Sequence, residues 1–454
     1  MARDKAEQMR GKWFSSAHLG MFIHWGPYAA VERGEQVLIR EQLDQRRYAE
    51  QACRWNPRKY DPREWAAVAV AAGMRYAVLT ARHHDGYCLW DSRFTDYSSA
   101  AQAPGRDFVA EYVAAFREAG LRVGLYYSLG DWRIPALFTG PQEDSEGWET
   151  FRQYCHNQLR ELATNYGRID VLWFDGAWPR HQGDWQSRAL VDMLRTLQPD
   201  MLINNRAGAP DPAEPDAEAN KGAGAGESRS LGDFSTPEQH ITPDAERRWE
   251  SCQTTQKFWW GYYRGEQWWG AEDILNMLCD CALQGGNLLL NVGPDGDGRL
   301  PDAFVERTGR LGRWLELHAE ALYGAKHCPP VIEHANLGRI TRKGNTLYVI
   351  VRLWPYRNEI NIPGLATPIR RATLMATGKD LGVSDYGRGY TLTGLPVDPP
   401  CELFPVIRIE LEGEPAAHNW VGVQWGDPAL AGPAYAEWAR QRGASVWADG
   451  KPRL

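Results

Sequence analysis

The sequence predicts an α/β protein, a (β/α)8-like TIM barrel followed by a C-terminal antiparallel β-sandwich domain. Three observations carry this. Up to about residue 325, short apolar strands alternate with helices that open on capping residues and close on glycines. Parallel strands need such crossover helices, and roughly seven or eight strand–helix units suit a closed barrel. From about Val331 the apolar pattern changes to period two, with short strands between Gly/Pro turns, as in a small sandwich. Finally, several of the early strands stop at polar or charged residues, and in a barrel the C-terminal strand ends form one mouth.

The elements follow in order. His18-Leu19-Gly20-Met21-Phe22-Ile23 is strand-like and stops at His24-Trp25-Gly26. Asp61-Pro62-Arg63-Glu64 supplies an N-cap, a proline at the first helical position and a glutamate at N3; the helix it opens ends at Gly73. Tyr76 to Thr80 is the next strand, followed by Arg82-His83-His84-Asp85-Gly86. Asp107 caps a helix that Gly120 ends, and Val123 to Tyr127 is a strand ending at Ser128. A helix before Gly167 leads to Ile169-Asp170-Val171-Leu172-Trp173-Phe174-Asp175-Gly176-Ala177-Trp178, a buried strand that stops at a carboxylate. A charge at the end of an apolar strand costs free energy unless the fold uses it. A helix from about Asp184 to Leu197 precedes Met201-Leu202-Ile203-Asn204, with Asn205-Arg206 beyond. Asp273 to Gln284 reads as helix, Asn287 to Val292 as strand, and about Asp302 to Tyr323 as a long amphipathic helix. In the sandwich, Thr346 to Val351, Glu359 to Ile362 and Val406 to Leu411 are strands. A doubly wound open sheet is the alternative, but no Gly-x-Gly-x-x-Gly turn follows the first strand. The expected domains are therefore 1–328 for the barrel, 329–414 for the sandwich and 415–454 for a C-terminal tail.

Composition narrows the partners. The 454 residues are 43% hydrophobic and 24% charged, as in an ordinary globular protein. A net charge of −7 offers no basic surface for nucleic acid. No run approaches the ~18 apolar residues of a membrane span, and Met1 to Glu7 lacks a signal-like apolar segment. Scattered cysteines fit a reduced compartment, so a cytoplasmic location is expected. Residues 208–230 are rich in Ala, Gly, Pro and acidic residues and read as a long mobile loop. The tail carries Trp420, Trp425, Trp438 and Trp447 and is expected to pack on the barrel or a partner subunit.

His24, His83, His84, Tyr126, Asp175 and Arg206 fall at or just past the ends of five successive strands, and a barrel would bring them to one mouth. His83-His84-Asp85 looks ligand-like. Adjacent residues of an extended segment point to opposite sides, however, which argues against two histidines on one ion. No His-Glu-x-x-His or Cys-x-x-Cys is present, so no metal is expected. Histidines that bond sugar hydroxyls fit better. A glycosidase needs two carboxylates, one as nucleophile or base and one as proton donor. Asp175 supplies the first. Glu238, after Thr236-Pro237, and Glu250, after Trp249, are the acidic partners downstream.

The chain resembles glycoside hydrolase family 29, the retaining α-L-fucosidases. The resemblance rests on Gly20 to Gly26, Arg82 to Tyr87, Gly124 to Ser128, Leu172 to Gly176, Asp233 to Glu238, Lys257 to Tyr262 and Gly285 to Pro294, in family order over about residues 12–325. It implies an exo-acting enzyme that hydrolyses terminal α-L-fucosyl residues without a cofactor, acting on a fucosylated oligosaccharide or glycoside. By resemblance Asp175 is the nucleophile and Glu238 the acid/base, with Glu250 the alternative. His24, His83, His84, Tyr126 and Arg206 fall on fucose-contacting positions, and Trp260 on an aromatic position beside the sugar. Glu35 matches the acidic half of a Glu-Trp pair that binds a sugar hydroxyl, but Gln36 follows here, a departure from the family pattern. Two rival readings are a retaining glycosidase for a related sugar such as an α-L-galactoside, and a sugar-binding protein without activity. Assembly as a homo-oligomer stays open.

Overall fold

In the computed structural model, residues 10–210, 231–265, 267–328, 338–387 and 389–417 are described. Most of the loop expected over 208–230 and of the tail expected over 415–454, including its four tryptophans, lies outside them. The chain forms two compact units that divide between Arg313 and Trp314.

The first unit is a parallel barrel. Its strands are β1 (Leu19–Ile23), β2 (Tyr76–Arg82), β3 (Arg122–Ser128), β4 (Val171–Asp175), β5 (Leu202–Ile203), β6 (Phe234–Ser235), β7 (Arg248–Thr254) and β8 (Asn287–Val292). They neighbour one another in the order β5-β4-β3-β2-β1-β8-β7-β6. A parallel bridge between Asn204 and Phe234 joins the two ends and closes the ring. The crossover helices start as their caps dictate. Asp61 accepts from Arg63 N at 2.8 Å ahead of Pro62–Ala71, and Asp107 accepts from Ala110 N at 2.8 Å ahead of Phe108–Glu118.

Aromatic rings fill the barrel. Phe22, Tyr76, Tyr126, Trp173 and Phe234 belong to one buried cluster with Val78, Leu202, Cys252 and Leu289. Gly20 makes room for this packing, since a Cβ there would stand 2.4 Å from Tyr76 Cζ. The filled interior leaves space only at the strand C-termini, as in packed barrels generally.

Two strands escape the apolar pattern. β6 has only two residues. β7 reads Arg-Trp-Glu-Ser-Cys-Gln-Thr, yet from Trp249 on it is wholly buried, because its polar side chains find partners inside the protein. The helix Gln45–Arg54 is capped by Asp44 but shows little apolar stripe, burying only Tyr48 and Ala52.

The second unit is antiparallel. Its strands β9 (Lys326–His327), β10 (Gly338–Lys343), β11 (Thr346–Val351), β12 (Glu359–Pro363), β13 (Ile369–Leu374), β14 (Lys379–Asp385), β15 (Gly389–Thr393) and β16 (Val406–Leu411) run in the order β12-β15-β14-β13-β16-β11-β10-β9. The expected sandwich is thus one hydrogen-bonded sheet that curls over itself. Ile360, Ile362 and Leu392 from one end share a core with Ile340, Leu347 and Val349 from the other.

Candidate active site

All eight barrel strands send side chains toward one cavity of about 140 Å3 or its wall. His24 follows β1, and His83 and His84 follow β2. Tyr126 lies in β3, Asp175 ends β4, and Arg206 follows β5. Glu238 follows β6, Trp260 follows β7, and Asn291 lies in β8. Every one of these but Asn291 lines the cavity, together with Phe22, Gln36, Trp173, Trp178 and Cys252.

Asp175 is the centre of the polar contacts. Tyr126 Oη donates to its Oδ2 at 2.7 Å, and His84 Nε2 stands 3.7 Å from the same oxygen. Arg206 Nη1 approaches Oδ1 at 3.4 Å. The register pairs Asp175 with Ser128 on β3, and the chain leaves the strand through Gly176 at φ 65°. A side chain at Gly176 would meet Ser128 Oγ at 2.4 Å and His84 Nδ1 at 2.9 Å. Only glycine both adopts that backbone and fits there.

Arg206 joins the two carboxylates. Its Nη1 also donates to Glu238 Oε2 at 2.7 Å. Nε donates to Thr236 Oγ1 and Nη2 to the Thr236 carbonyl, both at 2.8 Å, and the guanidinium lies over the Trp173 ring. Asp175 Oδ1 and Glu238 Oε2 therefore touch one nitrogen, so they are no more than about 6 Å apart, close to the ~5–5.5 Å between the carboxyls of retaining glycosidases. Glu238 is 40% exposed, at the rim.

Both histidines of the pair line the cavity, their ring centroids 4.1 Å apart. The alternation expected of an extended segment does not apply, because β2 ends at Arg82 and the chain turns through His84 and Asp85. Burial lowers the pKa of all three histidines: His24 to about 3, His83 well below its usual range and helped by His84 and His24, and His84 less, against the opposing pull of Asp175. They are neutral rings at physiological pH, suited to hydroxyl groups rather than to an anion. Ser128 Oγ donates to the Gly130 carbonyl, so it accepts from His84 Nδ1 at 2.7 Å. Among the described residues, no group of three His, Cys, Asp or Glu is arranged to hold a metal, and no helix is long and apolar enough to cross a membrane.

Two predicted site residues lie elsewhere. Glu250 is fully buried near the start of β7, below the cavity. It accepts from Tyr76 Oη and, at 2.9 Å, from Trp173 Nε1, and burial pushes its carboxyl up to about 7. Glu35 is also buried, its Oε2 accepting from the backbone N–H of Trp260 at 3.0 Å and of Gly261 at 2.8 Å. It holds the Trp260 loop, and its neighbour Gln36 reaches the cavity in its place. Sequence reasoning passed over Trp178, three residues beyond Asp175, and Gln36 as lining residues, and it passed over Asn291 and Ser128 as their supports. For Trp178, Asn291 and Ser128 the position at or just past a strand end was the available signal, whereas Gln36, before the helix Val37–Arg40, carried only its place beside Glu35.

The family profile described as Alpha-L-fucosidase matches residues 2–320. The tissue alpha-L-fucosidase of Bos taurus is 30% identical over 422 residues, covering 86% of this chain and 86% of that protein. The solved alpha-L-fucosidase isoenzyme 1 of Paenibacillus thiaminolyticus is similar with a TM-score of 0.76 at 34% identity, over 90% of this chain and 100% of that one. A Bacteroides thetaiotaomicron alpha-L-fucosidase, solved as a trapped covalent intermediate with 2-fluoro-fucosyl fluoride, gives a TM-score of 0.75 at 27% identity, over 90% and 97% of the two chains.

Proposed function

The chain belongs to the α-L-fucosidase family of glycoside hydrolases, and from that premise we propose an exo-acting, retaining hydrolysis of terminal α-L-fucosides with Asp175 as nucleophile and Glu238 as acid/base. The observation that carries this reading is the single Arg206 nitrogen shared by the two carboxylates. The facing oxygens of the two carboxylates lie at most about 6 Å apart, which favours the close pair of a retaining enzyme over the ~6.5–9.5 Å spacing that seats a water in an inverting one. The trapped covalent intermediate of the Bacteroides relative supports the same route.

In the first step an Asp175 oxygen attacks the anomeric carbon while Glu238 gives its proton to the departing glycosidic oxygen. The C–O bond to the leaving group breaks and a fucosyl ester forms on Asp175. In the second step Glu238, now a carboxylate, takes a proton from water. The water oxygen attacks the anomeric carbon and Asp175 departs. Tyr126 and Arg206 hold the nucleophile in line. While Glu238 carries its proton, the Asp175 carboxylate and the Arg206 guanidinium balance among otherwise neutral side chains; as the proton leaves, Glu238 becomes a second carboxylate and the field turns negative where the oxocarbenium-like charge develops. Its volume of about 140 Å3 is well below the ~300–1,000 Å3 of sites for larger ligands, which suits one terminal sugar.

Proton NMR of the reaction with an aryl α-L-fucoside tests the proposal. The first fucose released should be the α anomer, with the β anomer appearing only as it mutarotates. Initial release of β-L-fucose contradicts a double displacement.

A further inference from the structure

His24 and Asn291 meet in the cavity wall. His24 follows β1, Asn291 lies in the adjacent β8, and the register pairs Phe22 with Asn291. His24 Nδ1 is 2.7 Å from Asn291 Oδ1. The other end of the amide, Nδ2, donates to the Trp260 carbonyl at 2.7 Å. Both side chains are buried.

The chemistry of these contacts permits one arrangement. A carbonyl oxygen only accepts, so the Asn291 NH2 must face Trp260 and its oxygen must face His24. That oxygen also only accepts, so His24 Nδ1 must carry the proton. In a neutral imidazole, Nε2 is then a bare acceptor. We propose that Asn291 is a positioning residue that locks His24 in its Nδ1–H tautomer, so that Nε2 accepts a hydrogen bond from one hydroxyl of the bound sugar.

The lock also ties the histidine to the indole wall. Glu35 holds the N–H groups of Trp260 and Gly261, the Trp260 carbonyl orients Asn291, and Asn291 orients His24. The Trp260 ring lies 5.2 Å from the His24 ring. A sugar in the cavity, lying against both rings, would meet an apolar face and a hydroxyl acceptor set by one chain of contacts. The remaining ionisable groups around His24 pull in different directions. Asp175 favours its protonation and His84 disfavours it, while His83 and Tyr126 stand at 5.6 and 5.5 Å between ring centroids. Burial prevails and keeps the ring neutral.

The inference rests on the sugar-hydrolase reading for its ligand, but the tautomer does not, so the two can fail separately. In protein labelled with 15N-histidine, the His24 signals are assigned by their loss in His24→Gln. Without any substrate, Nδ1 should carry the proton and Nε2 should show the shift of a bare nitrogen; a proton on Nε2 overturns the proposal. Asn291→Asp adds a second readout. A carboxylate facing Nδ1 favours the imidazolium, whose Nε2 donates instead of accepting. KM for an aryl fucoside should then climb about tenfold as pH falls, over a range in which the native KM stays level. A variant KM that tracks the native profile at every pH overturns the proposal, whatever happens to its melting temperature.

Discussion

Tyr126 Oη donates to Asp175 Oδ2 at 2.7 Å, from the buried neighbouring strand. Burial and the adjacent carboxylate raise the phenol pKa well above its usual value, so Tyr126 remains a donor throughout the working range. The Trp173 ring stacks behind the phenol and keeps it in place. Tyr126→Phe removes the bond and little volume. A hydrogen bond to a charged group contributes about 1.5–3 kcal/mol, so kcat should fall by roughly ten- to a hundredfold. KM should change little, and steady-state kinetics on an aryl fucoside separates the two.

Arg206 uses three nitrogens at once, on Thr236, Glu238 and Asp175. A lysine has one nitrogen and no planar fork. Arg206→Lys therefore keeps the charge but cannot satisfy both carboxylates and the Thr236 carbonyl. Its activity should fall at least about a hundredfold, a loss of ~2.7 kcal/mol, while the melting temperature drops only a few degrees. Activity within threefold of native would show that charge alone suffices.

Glu238 and Glu250 are told apart by leaving groups. The acid matters most when the leaving group is poor. Glu238→Ala should lose far more activity on fucosylated sugars than on an activated aryl fucoside, and azide should restore turnover as a fucosyl azide of retained configuration. Glu250→Gln should show the native dependence on leaving group, because its carboxyl faces Tyr76 and Trp173 below the cavity. The reverse pattern would move the acid/base to Glu250.

Glu250 should instead appear in the stability. Burial raises its carboxyl from 4.5 to about 7, so the folded protein binds that proton more tightly than the unfolded chain. The contribution is fully present below about pH 4.5 and is lost as pH rises to about 7. Over that window it amounts to about 3 kcal/mol. Chemical denaturation across it should find Glu250→Gln lacking this decline. An unchanged slope would mean that Glu250 titrates normally.

The parts of this architecture that were legible in the sequence are those where burial and period coincide. β1 to β4 are largely apolar runs that end in a polar residue or, for β1, stop just before His24, and Asp61 and Asp107 announce helices between them. β7 gave no such signal because it is buried on both faces yet carries Glu250, whose partners Tyr76 and Trp173 are tertiary, and Gln253, which bonds Ser251 within the strand. His83 and His84 lie where β2 gives way to a turn, and there strand alternation no longer governs direction. Glu35 illustrates a different gap. A carboxylate that accepts from backbone N–H groups and one that waits for a sugar hydroxyl have the same sequence, and only the position of the Trp260 loop distinguishes them.

The central claim is that Asp175 forms the covalent bond to the sugar. Incubation with 2-fluoro-fucosyl fluoride should slow the second step enough for the ester to accumulate. Proteolysis and tandem mass spectrometry then locate it. The account predicts a 2-fluoro-fucosyl label on the peptide spanning Val171 to Trp178, fragmenting to Asp175, with no label in Asp175→Asn. A label on Glu238, Glu250 or any other residue of the active native enzyme would contradict it.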